Sequence, residues 1–157
     1  VLINGQPATA VHSKIDDKHF ETTYYRVTGD KVMLLGFDPK QPLKDPYATF
    51  VLAEKGEMKW SNTVWTMVFD ELAPVKMACS AKPLYSYSFK GAKVPAIEVR
   101  IVSTFDLSPS KKGGSEQVAV YAKGIGLVEM REIGNYGKQK FTRVRRLESY
   151  SIGAPPK

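Results

Sequence analysis

From residue 19 onward the chain is a succession of β-forming runs, each cut short by turn chemistry, and no run of ten or more residues has convincing helical spacing. Such a pattern selects an all-β fold built from near neighbours. "HFETTYYRV" (19–27) is aromatic and β-branched, "TGDK" supplies a Gly-Asp turn, and "VMLLGF" resumes the apolar run, so 19–37 reads as a hairpin. "DPKQPLKDP" (38–46) holds three prolines and reads as a loop, because proline has no ladder N–H. "YATFVLA" and "MKWSNT", joined by "EKGE", suggest a second hairpin, and residues 64–81 suggest two strands meeting at "ELAP".

Further on, "LYSYSFKG" alternates, with Tyr85, Tyr87 and Phe89 on one face. "AIEVRIVSTF" (96–105) places Ile97, Val99, Ile101 and Ser103 inward, with Glu98, Arg100 and Val102 outward. "DLSPSKKGGSE" reads as a flexible basic connection, and three last runs centre on 117–123, 127–133 and 139–152, the final two linked by "GNYGK". The expected fold is an all-β antiparallel meander of nine or ten strands with little helix. Strong twist should curl it into a barrel or half-barrel with one concave apolar face. A length of 157 residues suits one domain, here 1–152, followed by a polar tail at 153–157.

The chemistry is sparser. Gly124 and Gly126 sit two apart inside a strand-like run. A phosphate-binding GxGxxG needs a third glycine and a following helix, whereas here Glu129 holds that place and a strand follows. A backbone corner is the better account of the pair. His12 and His19 are seven apart with no acidic ligand spacing between them, and Asp16 and Asp17 read as a solvated turn, so no metal and no cofactor is expected. Asp70, Glu71, Glu98 and Asp106 read as scattered surface carboxylates, and no G-x-S-x-G elbow is present, so no catalytic residue is assigned. Cys79 is the single cysteine, which excludes an internal disulfide and suits a small buried side chain.

Trp60, Trp65, Tyr85, Tyr87 and Phe89 are the candidates to line a concave ligand pocket, with core packing as the plainer alternative. The net charge of +7 concentrates late: seven basic residues against two acidic ones follow residue 130. Arg143 and Arg145 share a face with Phe141 and Leu147, while Arg146 joins Val144 and Glu148. A buried unpaired guanidinium is costly, so this strand is expected at an edge, with its arginines in solvent or paired. Arg143, Arg145 and Arg146 are the candidate partner-binding residues, toward an acidic protein or an anionic surface, and nucleic acid is disfavoured. A solvated strand face is the plainer alternative. No run of about 18 uncharged apolar residues suggests a transmembrane segment. A chain that starts at Val1 reads as a processed or truncated product.

Two segments together resemble a known group. "YYRVTGDKVMLLG" and the late "VYAKGIGLVEMRE" resemble a poorly characterised family of exported bacterial β-proteins with a Y-A-x-G-x-G-L-V motif, similar in style to the half-barrel lipoprotein carriers of the envelope. Tyr121, Gly124, Gly126, Leu127 and Val128 match that motif as architectural residues. The resemblance implies an all-β, periplasmic or secreted, non-enzymatic domain that binds or scaffolds. The alternatives are a carrier or sensor of a hydrophobic small molecule and a polyanion-binding module using the basic strand.

Overall fold

The structure, a computed structural model, describes residues 1–14, 20–53 and 56–147. Among them every regular element is a strand and every pairing is antiparallel, as the turn-punctuated sequence implies. The described residues form twelve strands rather than nine or ten, in open antiparallel sheets that fit the curled, half-barrel form of the expectation and not a closed barrel. The chain also divides into two compact units, Val1–Leu52 and Ala53–Lys157. The tail at 153–157 lies outside the described residues, as do Asp16, Asp17 and His19.

The first unit begins with a miniature hairpin, β1 (Leu2–Ile3) and β2 (Gln6–Pro7). Asn4 and Gly5 both have positive φ, 49° and 71°, the geometry an Asn-Gly turn adopts at low cost. Four strands follow in sheet order: β3 (Thr9–Lys14), β4 (Phe20–Thr28), β5 (Lys31–Gly36) and β6 (Tyr47–Val51). The expected β4–β5 hairpin is present, with Val27 opposite Val32. Strand β6 pairs with β5 and not with the strand after it, so the second expected hairpin does not form. Ile3, Tyr24 and Leu35 form a small buried cluster, and Arg26 ties the first hairpin to β4 through the Pro7 carbonyl (3.2 Å) and the Gln6 side chain.

The second unit is one six-stranded meander in which sequence neighbours are also spatial neighbours: β7 (Met58–Val68), β8 (Glu71–Phe89), β9 (Ala92–Ser108), β10 (Lys111–Ala122), β11 (Gly126–Tyr136) and β12 (Gln139–Arg146). Direct cross-strand partners share a face, so the register defines two sides. One is the Val99 face, with Cys79, Ala81, Ala119 and Met130, all buried. The other is the Lys76 face, with Arg100, Lys112, Ile133 and Val144. Val99 is 1% exposed; burying such a side chain stabilises by roughly 1.5–3 kcal/mol. Of the alternation expected for Ile97–Ser103, burial separates Val99 from Arg100, while Ile97, Glu98, Ile101, Val102 and Ser103 are all half-buried.

Two turns differ from the sequence reading. Strand β8 starts at Glu71, so the reversal is at Phe69–Asp70 and Pro74 lies within the strand. Both turn residues have positive φ (51° and 61°) without being glycine, which hides the turn from composition. The ring of Phe69 compensates by packing edge-on against Phe105 (5.9 Å between centroids) and Tyr136 (6.1 Å). The "flexible connection" at 106–116 is mostly strand. Residues Lys111–Glu116 belong to β10, and "GNYGK" contributes Gly134, Asn135 and Tyr136 to β11. Glycine is used here because backbones and rings come close. A Cβ on Gly114 would lie 2.1 Å from the Ser103 carbonyl, and one on Gly134 would lie 2.6 Å from the Phe141 ring.

The late motif forms the β10–β11 corner. Gly124 (φ 75°) and Gly126 (φ 100°) are both left-handed, and the Ile125 N–H donates to the Ala122 carbonyl at 3.1 Å. A bulge at Val120/Tyr121 pairs Val120 with Glu129 and Tyr121 with Leu127, so Val128 is the extra residue. Val128 is buried against Ala96, Val120 and Ala122. No atom lies within 4 Å of a Cβ added at either glycine, so strain alone opposes substitution. Gly124→Val or Gly126→Val is expected to cost about 1 kcal/mol or more each. Urea unfolding reads this directly, and unchanged midpoints in both variants would overturn the corner account.

Candidate functional site

Strand β12 is an outer strand of the six-stranded sheet, so its basic side chains sit on a ladder edge. Arg143 faces Glu132 across β11, with 3.6 Å between charged atoms, and its guanidinium lies 5.1 Å from the centre of the Phe141 ring. These contacts hold the side chain against the sheet while leaving it largely exposed. Arg145 lies two residues along on the same face, opposite Met130 and in solvent. Arg146 points to the other face and reaches Glu129 at 3.7 Å. The three arginines therefore divide between two faces, as strand alternation requires, and only Arg143 and Arg145 can meet one partner surface together.

Glu129 also accepts a hydrogen bond from the Tyr87 hydroxyl at 3.2 Å. Burial, then that bond to a carboxylate, raises the Tyr87 pKa and keeps the phenol protonated. Across the same face Lys82 donates to Glu98 at 2.9 Å, and Arg100 pairs with Glu116 at 3.0 Å. The bond to Glu98 raises the Lys82 pKa. These pairs are exposed, and each contributes little to stability, but they fix which charges on this face are already neutralised.

The five candidate pocket aromatics are not brought together. Trp60 lies opposite Cys79 on the Val99 face, whereas Trp65, five residues on, lies opposite Pro74 on the Lys76 face and is 61% exposed. An odd separation in a strand makes this unavoidable. A register shift between Leu84 and Tyr87 breaks the expected alternation, so Tyr85 is 75% exposed while Tyr87 and Phe89 pack on the cluster around Ala96 and Val120. Cys79 is buried, and burial pushes its thiol up to about 11, so it stays protonated at neutral pH and is a poor nucleophile. His12 bonds the Thr22 hydroxyl through Nδ1 at 2.9 Å, and among the described residues no three His, Cys, Asp or Glu side chains cluster.

A feature that sequence reasoning missed lies on the Lys76 face. An open groove of about 820 Å³ runs over β8 to β11, lined by Lys76, Thr104, Asp106, Lys112, Glu116 and Asn135, with Gly114 in its floor. None of the five aromatics lines it. The signal was present in the shared parity of Val102, Thr104 and Asp106 on β9, but reading 106–116 as loop concealed the β10 half of the surface.

Comparison with protein-family models, with curated proteins and with solved structures finds no match. No helix among the described residues is long and apolar enough to cross a membrane.

Proposed function

We propose that this chain is a non-catalytic binding domain of the bacterial cell envelope, and that β12 receives an acidic, extended segment of an envelope protein. The carrying observation is an outer strand that presents Arg143 and Arg145 on one face, the first held by Glu132 and Phe141 and the second in solvent. A ladder edge has backbone donors and acceptors that only another polypeptide matches in register, and paired cations on one side select carboxylates at alternate positions. The envelope setting is supported by the resemblance in the early and late motifs, whose residues Tyr121 and Gly124–Val128 build the β10–β11 corner.

The test is binding of an alternating Glu-Val peptide at two salt concentrations. In the double variant Arg143→Gln/Arg145→Gln the affinity should fall about fivefold to tenfold, and the salt dependence should flatten, because exposed charges carry a screened contribution. Equal binding by wild type and variant would reduce the arginines to surface solvation and remove this reading.

A further inference from the structure

The Lys76 face combines two kinds of side chain that water-facing sheet surfaces normally keep apart. Met67 stands opposite Leu72, both 62% exposed, and Trp65 stands beside them opposite Pro74, so three large apolar groups make one corner. Ile133 and Val144, on β11 and β12, are further exposed apolar side chains of the same face but stand apart from this corner, with Lys76, Thr104 and Lys112 between. A single exposed apolar residue is ordinary, but a contiguous group on one face marks a contact surface.

Charge narrows the partner. On this face the carboxylates of Glu98, Glu116 and Glu129 are each engaged by a cation. Lys76, Lys112, Arg131 and Lys140 are exposed and have no ion pair among the described residues, with Asp106 as the remaining acid opposite Lys112. The surplus is positive and borders the groove. A nucleic acid or acidic polysaccharide would satisfy the cations and leave Met67 and Leu72 in water. A purely apolar partner would strand the lysines. An anionic bilayer offers both components, acyl boundary for the apolar corner and phosphates for the cations, and tryptophan favours that boundary.

We propose that the Lys76 face docks on a bilayer containing anionic lipid, with Trp65, Met67 and Leu72 entering the headgroup region and Lys76 and Lys112 resting on lipid phosphates. This surface is separate from the arginine pair of β12, and the proposal is independent of the edge-strand reading.

The experiment is co-sedimentation of the whole chain with vesicles of phosphatidylcholine alone and of phosphatidylcholine with roughly one-third phosphatidylglycerol. Binding is expected only to the anionic vesicles and is expected to weaken with salt. Met67→Ser/Leu72→Ser should weaken it at least tenfold, in line with loss of two apolar side chains only partly withdrawn from water, and Lys76→Gln or Lys112→Gln about fivefold each. All four positions are exposed, so circular dichroism should be unchanged. Brominated lipid should quench the wild type, and Trp65→Phe should abolish most of that quenching, because the remaining Trp60 is on the opposite face. Failure to bind anionic vesicles, equal binding to both vesicle types, or unchanged binding by Met67→Ser/Leu72→Ser overturns the proposal. Heparin or duplex DNA that binds tightly with no response to the apolar variant would assign the cations to a polyanion instead.

Discussion

Gly114→Ala should destabilise the second unit by about 3 kcal/mol, the upper end of what one inserted methyl does in a well-packed site. The added carbon would lie 2.1 Å from the Ser103 carbonyl oxygen, and 3.2 Å from the Thr104 Cα. Both obstacles are backbone, so no rotamer change relieves the overlap, and β9 and β10 must separate locally. The penalty also reaches Ser103 and Ser115, whose hydroxyls meet at 3.0 Å across the same two strands. Urea unfolding of the variant should show a lower midpoint with a similar slope. A midpoint within error of wild type would mean that the strands do not approach as described.

Removing the ring of Phe105 should be comparably severe, about 3–5 kcal/mol for Phe105→Ala. Phe105 is 7% exposed and belongs to the buried cluster of Val68, Ala73 and Val75. Its ring also lies 5.5 Å from that of Tyr136, which stacks in turn on Phe141 at 5.5 Å. Through Phe69 the same ring supports the strained Phe69–Asp70 turn. The loss is therefore expected to exceed that of Phe141→Ala, at the exposed end of the ladder. Paired denaturation curves would compare them, and an equal or smaller effect at Phe105 would contradict the hub role.

What the sequence disclosed follows a physical division. Strands whose faces differ in polarity were readable: β9 alternates Val99 against Arg100, and β5 follows a Gly-Asp turn, so both were placed correctly. Segments governed by tertiary contact were not. Gly113 and Gly114 have the composition of a loop, yet the approach of Ser103, Asn135 and Phe105 accounts for glycine there. Phe69–Asp70 is a turn without turn residues, stabilised by rings brought from β9 and β11. The candidate site divides similarly. An edge position for the basic strand was legible, because alternating Arg143, Arg145 and Phe141 do not fit a buried centre. The five aromatics were grouped by chemistry alone, and a register shift after Leu84 together with simple parity separates them.

The strict neighbour order β12-β11-β10-β9-β8-β7 also determines how the second unit answers to force. Its first and last strands are at opposite margins, so traction on the two ends acts across the ladders, along the direction of the hydrogen bonds. Rungs are then loaded a few at a time, and the sheet should peel like a zip instead of resisting by shear along its whole length. Single-molecule stretching should accordingly record low, stepwise yielding, strand by strand from the margins, and one abrupt high-force rupture would contradict that geometry. A sheet of this order lengthens in small steps under tension and offers little resistance before each one.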